Sequence, residues 1–85
     1  MNKYERVPEK VIDLHGYTTR EAKEILDELL GGAFKHVRII TGKGTFRETG
    51  PVMRNFVEGY LKRLEIKFET AKLYNGGDGA FEVYF

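Results

Sequence analysis

Val11-Ile12-Asp13-Leu14-His15-Gly16 is the stretch of sequence that decides how the chain folds. Its apolar residues, two of them β-branched, predict a short buried strand over residues 11–14, which Gly16 then breaks. The strand end carries a carboxylate, an imidazole and a glycine, an unusual composition for such a place. We therefore expect the rest of the chain to hold this end and to bring other loops beside it.

Two amphipathic helices are predicted after this strand. Thr18 is the expected N-cap of the first helix, because Glu21 completes a capping-box pattern, and Gly31-Gly32 is expected to end it. Its apolar stripe comprises Ala22, Ile25, Leu26, Leu29 and Leu30. The second helix follows Pro51, and its stripe comprises Met53, Phe56, Val57, Tyr60, Leu61 and Leu64. Gly59 costs this helix about 1 kcal/mol relative to alanine, which a close approach to the sheet would explain.

Three more strands are predicted, over residues 36–41, 66–74 and 80–85. Two β-α-β crossovers make the first three strands parallel, and the fourth returns through a tight turn and is antiparallel. Each helix has one apolar stripe, so right-handed crossovers place both helices on one face of the sheet. The fold class is therefore α/β, a two-layer βαβαββ sandwich with a four-stranded mixed sheet.

The totals set the broad class of protein. A chain of 85 residues is one domain, which we divide into an N-terminal arm, residues 1–10, and a folded part, residues 11–85. There is no cysteine, which excludes disulfides and thiolate metal sites and fits a reducing compartment. No apolar run approaches the roughly 20 residues of a membrane span, and the N-terminus lacks a signal-peptide core. We expect a cytoplasmic monomer that does not bind membranes.

Three glycine-bearing loops are predicted to meet at one edge of the sheet. His15-Gly16, Thr41-Gly42-Lys43-Gly44 and residues 74–79 all follow the carboxyl ends of predicted parallel strands. The N-termini of both helices point to the same edge, with free N–H groups and partial positive charge. Ligands of open α/β sheets bind at this edge, and a phosphate is the simplest guest.

Asp13 and His15 are the candidate catalytic residues. They are two residues apart on a strand, so their side chains share a face. A carboxylate beside an imidazole sets the tautomer and raises the basicity of the ring, so the pair can activate water or a ribose hydroxyl for attack on phosphorus. The alternative is structural: Asp13 satisfies loop N–H groups, and His15 is a satisfied structural residue.

Other residues of the three loops are candidates for binding phosphate. The net charge is only +1, but basic residues outnumber acidic ones between residues 35 and 54. Lys43 between two glycines resembles a phosphate cradle, although the Walker A pattern is absent and nucleotide hydrolysis is not expected. The candidates are Gly16, Thr41, Gly42, Lys43, Gly44, Arg47, Arg54, Gly77 and Gly79. In the alternative interpretation the glycines only shape turns and the arginines are surface charges.

A few further residues have roles that the sequence leaves open. Asp78 either belongs to a turn that needs positive φ, which we favour, or orients Lys43 or a cation. Tyr17 and Phe46 flank the predicted edge, where each would either stack on a base or pack partly into the core. His36 lies at the far end of its strand, and two histidines at opposite strand ends do not make a zinc site.

Three motifs, in this order, resemble the Smr (small MutS-related) domain family. They are Asp13-Leu14-His15-Gly16, Thr41-Gly42-Lys43-Gly44-Thr45 and Gly76-Gly77-Asp78-Gly79-Ala80. The resemblance covers residues 11–85. It implies a sandwich like the C-terminal domain of bacterial translation initiation factor three, with strand order 1-2-4-3. It also implies nucleic-acid binding and, as in several members, endonuclease activity on DNA or RNA.

Matched by position, the family's aspartate and histidine are Asp13 and His15, and the lysine of its second loop is Lys43. Many bacterial members have histidine at the position of Thr41 and a second glycine at the position of Phe46. The resemblance therefore does not extend to the choice of substrate.

These observations predict a nucleic-acid-binding endonuclease that nicks or cleaves phosphodiesters of DNA or RNA. One alternative is a module that binds DNA or RNA structures without catalysis, and another is a protein-interaction domain with a vestigial site. No metal site is predicted from the residues. A divalent ion, magnesium or manganese, bound by Asp13 is compatible with the site but not required, because one carboxylate offers magnesium few ligands.

Overall fold

The computed structural model of the protein describes residues 7–42, 52–72 and 77–85, apart from the side chain of Asp78. Within these residues the elements are β1 (Lys10–Asp13), α1 (Thr19–Leu30), β2 (His36–Ile40), α2 (Val52–Arg63), β3 (Lys67–Thr70), a 3-10 turn (Gly77–Gly79) and β4 (Ala80–Tyr84). No helix of the described ranges is long and apolar enough to cross a membrane.

The described strands form one sheet in the order β1-β2-β4-β3. β1 and β2 are parallel, and β4 runs antiparallel to both β2 and β3. The predicted fold class is confirmed. The third strand is shorter than predicted, since its partner β4 begins only at Ala80 and the ladder ends with the bond from Ala71 N–H to the Ala80 carbonyl. Beyond Lys72, residues 73–76 of the predicted strand and turn lie outside the described part of the chain.

Both helices pack against the same face of the sheet. Their apolar stripes bury Ala22, Leu26, Leu29, Val57, Tyr60 and Leu61 against Val37, Ile39, Phe81 and Val83. The Tyr60 hydroxyl joins the helices by donating to Asp27 Oδ1 at 2.6 Å. Burial and the adjacent carboxylate both raise the pKa of Tyr60, so the phenol stays protonated at neutral pH.

The predicted capping box is present at the start of α1. Thr18 Oγ1 accepts the Glu21 N–H at 3.1 Å, and Glu21 Oε1 accepts the Thr18 N–H at 2.9 Å. The expectation for Gly59 in α2 is wrong. Gly59 is exposed, and a Cβ there would have nothing within 4 Å, so no close approach of helix and sheet requires it.

The other face of the sheet carries a polar network. Glu82 Oε1 lies 2.7 Å from His36 Nε2, and Glu82 Oε2 accepts from Arg38 Nε at 2.7 Å. The ring of Tyr84 stacks on His36 with centroids 4.7 Å apart. Although no helix of the described part covers this face, the His36 and Glu82 side chains are each only 9% exposed.

The amino-terminal residues that the structure describes are tied to β2. Glu9 N–H donates to the His36 carbonyl, and Glu9 Oε1 accepts the N–H groups of Lys35 and His36. Residues 1–6 lie outside the described part of the chain, so the division into an arm and a folded part stays a prediction.

Candidate active site

A tight turn positions His15 directly after β1. Leu14 is fully buried and donates its N–H to the Ile40 carbonyl at 2.7 Å, which continues the β1–β2 ladder. Tyr17 N–H then donates to the Leu14 carbonyl at 3.1 Å and closes the turn. Gly16 has φ +87°, as position i+2 of a type II turn demands, and a Cβ there would meet nothing within 4 Å. Backbone conformation rather than space therefore selects glycine, and the turn places His15 at its tip.

Asp13 holds the imidazole of His15 through one oxygen. Asp13 Oδ1 accepts the His15 backbone N–H at 3.0 Å and lies 2.7 Å from His15 Nδ1. A carboxylate accepts, so the Nδ1 proton is the one it holds and the lone pair is on Nε2. Among the described residues Nε2 has no hydrogen-bond partner. The side chain of His15 is 73% exposed and that of Asp13 is 47% exposed, so a substrate can reach both.

The hydrogen bonds from His15 also keep Asp13 ionised. The bond from the imidazole, followed by the bond from the backbone N–H, lowers the pKa of Asp13 below its usual 3.8. The carboxylate thus stays charged over the neutral range, where it can stabilise an imidazolium. Asp13 also accepts the backbone N–H of His15 in the loop. The same hydrogen bonds therefore fit both the structural role and the catalytic role predicted for Asp13.

The loop after β2 lies against the His15 turn and is bonded to the loop before β4. The Gly79 carbonyl accepts three hydrogen bonds, from Thr41 N at 2.7 Å, from Gly42 N at 3.0 Å and from Thr41 Oγ1 at 3.2 Å. Gly42 has φ +77°, and a Cβ there would lie 3.8 Å from the Cβ of His15. The described parts of the three predicted loops therefore meet at one edge.

The predicted phosphate-binding residues differ in burial and in the hydrogen bonds that they already make within the protein. Thr41 is buried, and its hydroxyl bonds to the carbonyls of Gly42 and Gly79. Gly77, with φ +55°, donates its N–H to the Lys72 carbonyl at 3.0 Å, which suits the predicted turn role. Lys43, Gly44 and Arg47 lie outside the described residues, and so does Phe46.

A cleft of about 450 Å³ opens beside His15. Residues 15–19, 41–42 and 52–54 line it, so the first turns of both α1 and α2 face the space. Arg54 contributes from α2, with its guanidinium 5.4 Å from the centroid of Phe81 and 3.9 Å from Glu58 Oε2. The N-termini of two helices carry partial positive charge, which makes this cleft favourable for an anion.

Sequence reasoning missed part of the cleft wall. Thr19, Val52 and Met53 line the cleft, although none of them was a candidate. A signal for them was available, since each lies in the first turn of a helix that follows a predicted loop of this edge. Small and apolar side chains there carry no chemical signature of their own, so composition alone does not mark them.

The described residues contain no group of three or more histidine, aspartate or glutamate side chains that could hold a metal ion. Asp13 already uses Oδ1 for His15. A divalent ion bound by Asp13 would rely on Oδ2 and on ligands from the substrate and water, as magnesium often does. A divalent ion at this site is thus compatible with the residues but not required by them.

The fold and site define a class of protein: a small α/β domain with an exposed histidine–aspartate pair at the edge of the sheet where its loops meet. The Smr domain profile matches residues 12–85, so the chain belongs to the Smr domain family. Endonuclease MutS2 from Carboxydothermus hydrogenoformans is 37% identical over a region that covers 86% of this chain and 10% of that protein. The chain thus spans about a tenth of the length of this relative.

Solved structures of Smr domains have the same architecture. The Smr domain of Thermus thermophilus MutS2 superimposes with a TM-score of 0.74 at 30% identity, covering 88% of this chain and 95% of that one. The B3BP Smr domain gives 0.67 at 26% identity, covering 92% and 79%. YdaL, a stand-alone small MutS-related protein from Escherichia coli, gives 0.70 at 23% identity, covering 88% and 63%, and supports the fold alone.

Proposed function

We propose that this chain binds nucleic acid and cleaves its phosphodiester bonds, with Asp13 and His15 as the catalytic pair. The observation that carries the proposal is the 2.7 Å contact between Asp13 Oδ1 and His15 Nδ1. It fixes the tautomer of an exposed imidazole and leaves Nε2 available beside a cleft of about 450 Å³. A histidine so held is suited to general base catalysis.

In the proposed reaction, His15 Nε2 accepts a proton from the attacking hydroxyl, which is either water or a ribose 2′-OH. The oxygen forms a new bond to phosphorus while the bond to the leaving nucleotide oxygen breaks. The leaving oxygen takes a proton from the imidazolium or from water. Asp13 stabilises the imidazolium in between, since its carboxylate bonds to Nδ1.

Charge that develops on the phosphate needs hydrogen-bond donors already in place. The first turns of α1 and α2 line the cleft and supply backbone N–H groups and the positive ends of two helix dipoles. Arg54 lines the same wall. These groups support binding of a phosphodiester whether or not His15 then acts on it, which keeps binding without cleavage as the second candidate.

Nucleic acid is the proposed substrate because the name of a relative indicates it and the local positive charge favours it. The MutS2 relative is named an endonuclease. Between residues 35 and 54 the chain has five lysines and arginines against one glutamate, a distribution that favours a polyanion locally although the net charge is small. Cytoplasmic location is part of this proposal.

The test is a cleavage assay on supercoiled plasmid and on structured RNA, each with and without magnesium or manganese. Asp13→Ala and His15→Ala are compared with the wild type and with Glu24→Ala, an exposed position on α1 outside the cleft. We expect the wild type and Glu24→Ala to cut and the two site variants to lose activity. The catalytic proposal fails if the wild type cuts neither substrate or if the site variants cut equally well.

Two further outcomes of this assay separate the alternatives. Salt-dependent binding without cutting would favour a structure-binding module for DNA or RNA. Absence of binding even at low salt would leave a protein-interaction domain.

A further inference from the structure

Tyr17 is an exposed aromatic residue in the wall of the cleft. The residue is 47% exposed, and it lies two positions after His15 in the turn that Gly16 makes. The Tyr17 backbone is fixed, because its N–H donates to the Leu14 carbonyl at 3.1 Å. The residue thus combines a tethered main chain with a large apolar ring that faces solvent.

The ring of Tyr17 makes no specific polar or aromatic contact within the described part of the chain. Among the described residues no hydrogen bond, ion pair or aromatic contact involves it, and it is absent from the buried core. The other phenyl-bearing side chains of the described elements mostly pack on the core, as Phe81 and Phe68 do at 5.3 Å. A tyrosine kept exposed beside a candidate catalytic base is the arrangement of a stacking platform.

We infer that Tyr17 stacks on an unpaired base next to the scissile phosphate, so that the site selects single-stranded or locally unpaired nucleic acid. This inference rests on the proposed function. Two residues of chain span at most about 7 Å, so a base on Tyr17 and a phosphate at His15 can belong to the same or adjoining nucleotides. A base inside a duplex already has both faces stacked, and only an unpaired one offers a face to the ring.

The other residues that line the cleft explain why the preference for unpaired bases should depend on the ring of Tyr17. Apart from His15, Tyr17 and Arg54, the cleft is lined by small or aliphatic residues, whose contacts with phosphate and sugar do not distinguish paired from unpaired bases. Arg54 adds charge, which acts on any backbone. Of the described lining, Tyr17 alone presents a wide planar apolar surface, so the preference for an unpaired base should depend on it.

The test measures binding of a labelled oligothymidylate, the same oligomer with abasic sites, and a fully paired duplex, in the absence of divalent ions. The variants are Tyr17→Phe, Tyr17→Ala and Phe85→Ala. Phe85 is the matched control, because it is also an exposed aromatic residue, 42% exposed, but follows β4 at the opposite end of the sheet. Melting curves check that every variant is folded.

We expect Tyr17→Ala to weaken binding of the oligothymidylate roughly 5- to 150-fold, since each base–aromatic stack contributes that much. Tyr17→Phe and Phe85→Ala should bind as the wild type does, and duplex binding should be the same for all. Abasic sites should weaken binding to the wild type but not to Tyr17→Ala.

The inference is overturned if Tyr17→Ala binds the oligothymidylate as the wild type does, or if it loses the single strand and the duplex equally. Its failure is distinct from that of the proposed function. A wild type that binds neither nucleic acid overturns both, whereas Tyr17-dependent binding by a protein that never cleaves supports the stacking role and overturns only catalysis.

Discussion

Two histidine–carboxylate pairs of the described residues have the same 2.7 Å contact and opposite surroundings. The pair of Asp13 and His15 lies at the sheet edge, with side chains 47% and 73% exposed, and uses Nδ1 of the imidazole. The pair of His36 and Glu82 lies on the sheet face, with both side chains 9% exposed, and uses Nε2. A short contact between an imidazole and a carboxylate therefore does not by itself indicate a catalytic site.

The two pairs differ in whether the second imidazole nitrogen and the second carboxylate oxygen are accessible to a ligand. Glu82 uses its other oxygen for Arg38, and His36 Nδ1 is buried with no hydrogen-bond partner among the described residues. Both side chains are only 9% exposed, and the ring of Tyr84 stacks on that of His36, so this pair offers little access to a substrate. The buried pair thus links β2 to β4, while the exposed pair is accessible to a ligand.

The largest expected effect is on cleavage, and it should appear for only one of the two carboxylates. Asp13→Asn keeps the shape of the side chain but removes the charge that stabilises an imidazolium. We expect single-turnover cleavage to fall roughly 10²-fold. Glu82→Gln, the matched change in the buried pair, should cleave at the wild-type rate when assayed below its melting temperature. Equal rates for Asp13→Asn and the wild type would remove Asp13 from the mechanism.

The free energy of unfolding should depend more on the buried carboxylate than on the exposed one. Glu82→Ala leaves the Arg38 charge and His36 buried without their partner, which costs about 3–5 kcal/mol of unfolding free energy. Asp13→Ala breaks a solvent-exposed pair and should cost less than about 1 kcal/mol. Urea denaturation of the two variants beside the wild type measures both. If Asp13→Ala proved the more destabilising change, the assignment of structural and functional roles would be inverted.

The turn that presents His15 supplies a third contrast. Gly16→Ala forces a side chain into positive φ, which should cost about 1–3 kcal/mol and lower cleavage by displacing His15. Gly59→Ala is the matched change in α2, where φ is not positive and a Cβ would have open space. It should stabilise the protein by about 0.5–1 kcal/mol. Thermal or urea denaturation compares them, and destabilisation by both would mean that the environment of Gly59 is misjudged.

The smallest effect concerns the titration of Asp13. Hydrogen bonds from His15 lower its pKa below 3.8, so the stability it contributes is fully present above the unfolded-state pKa. That stability is lost as the pH falls through the lower folded-state value. Carboxyl chemical shifts followed by NMR should give a lowered pKa in the wild type and a return toward 3.8 in His15→Ala. An unchanged titration in His15→Ala would mean that the imidazole does not hold this carboxylate.

The meeting of the loops at one edge of the sheet could be predicted from the sequence, because alternating strand and helix patterns force parallel strands and bring their loops together. The proximity of Asp13 and His15 could also be predicted, because it is local and depends only on a spacing of two residues. The strand order 1-2-4-3 followed from the family resemblance alone, since periodicity does not state which strand lies beside which.

The buried pair could not be predicted for the same reason. His36 meets Glu82, which is 46 residues further along the chain, only because β2 and β4 pair with Arg38 opposite Glu82. A shift of one residue in this register would move Glu82 to the other face of the sheet. Viewed without that register, His36 was simply a histidine at the far end of a strand.

The most direct test of the central claim is the single-turnover cleavage rate of His15→Ala, measured with its affinity for the same substrate. If His15 Nε2 takes the proton from the attacking hydroxyl, the rate should fall about 10²- to 10⁴-fold while binding stays close to that of the wild type. Cleavage by His15→Ala at the wild-type rate, or a loss of rate accounted for entirely by a loss of binding, would contradict the claim that His15 is the general base.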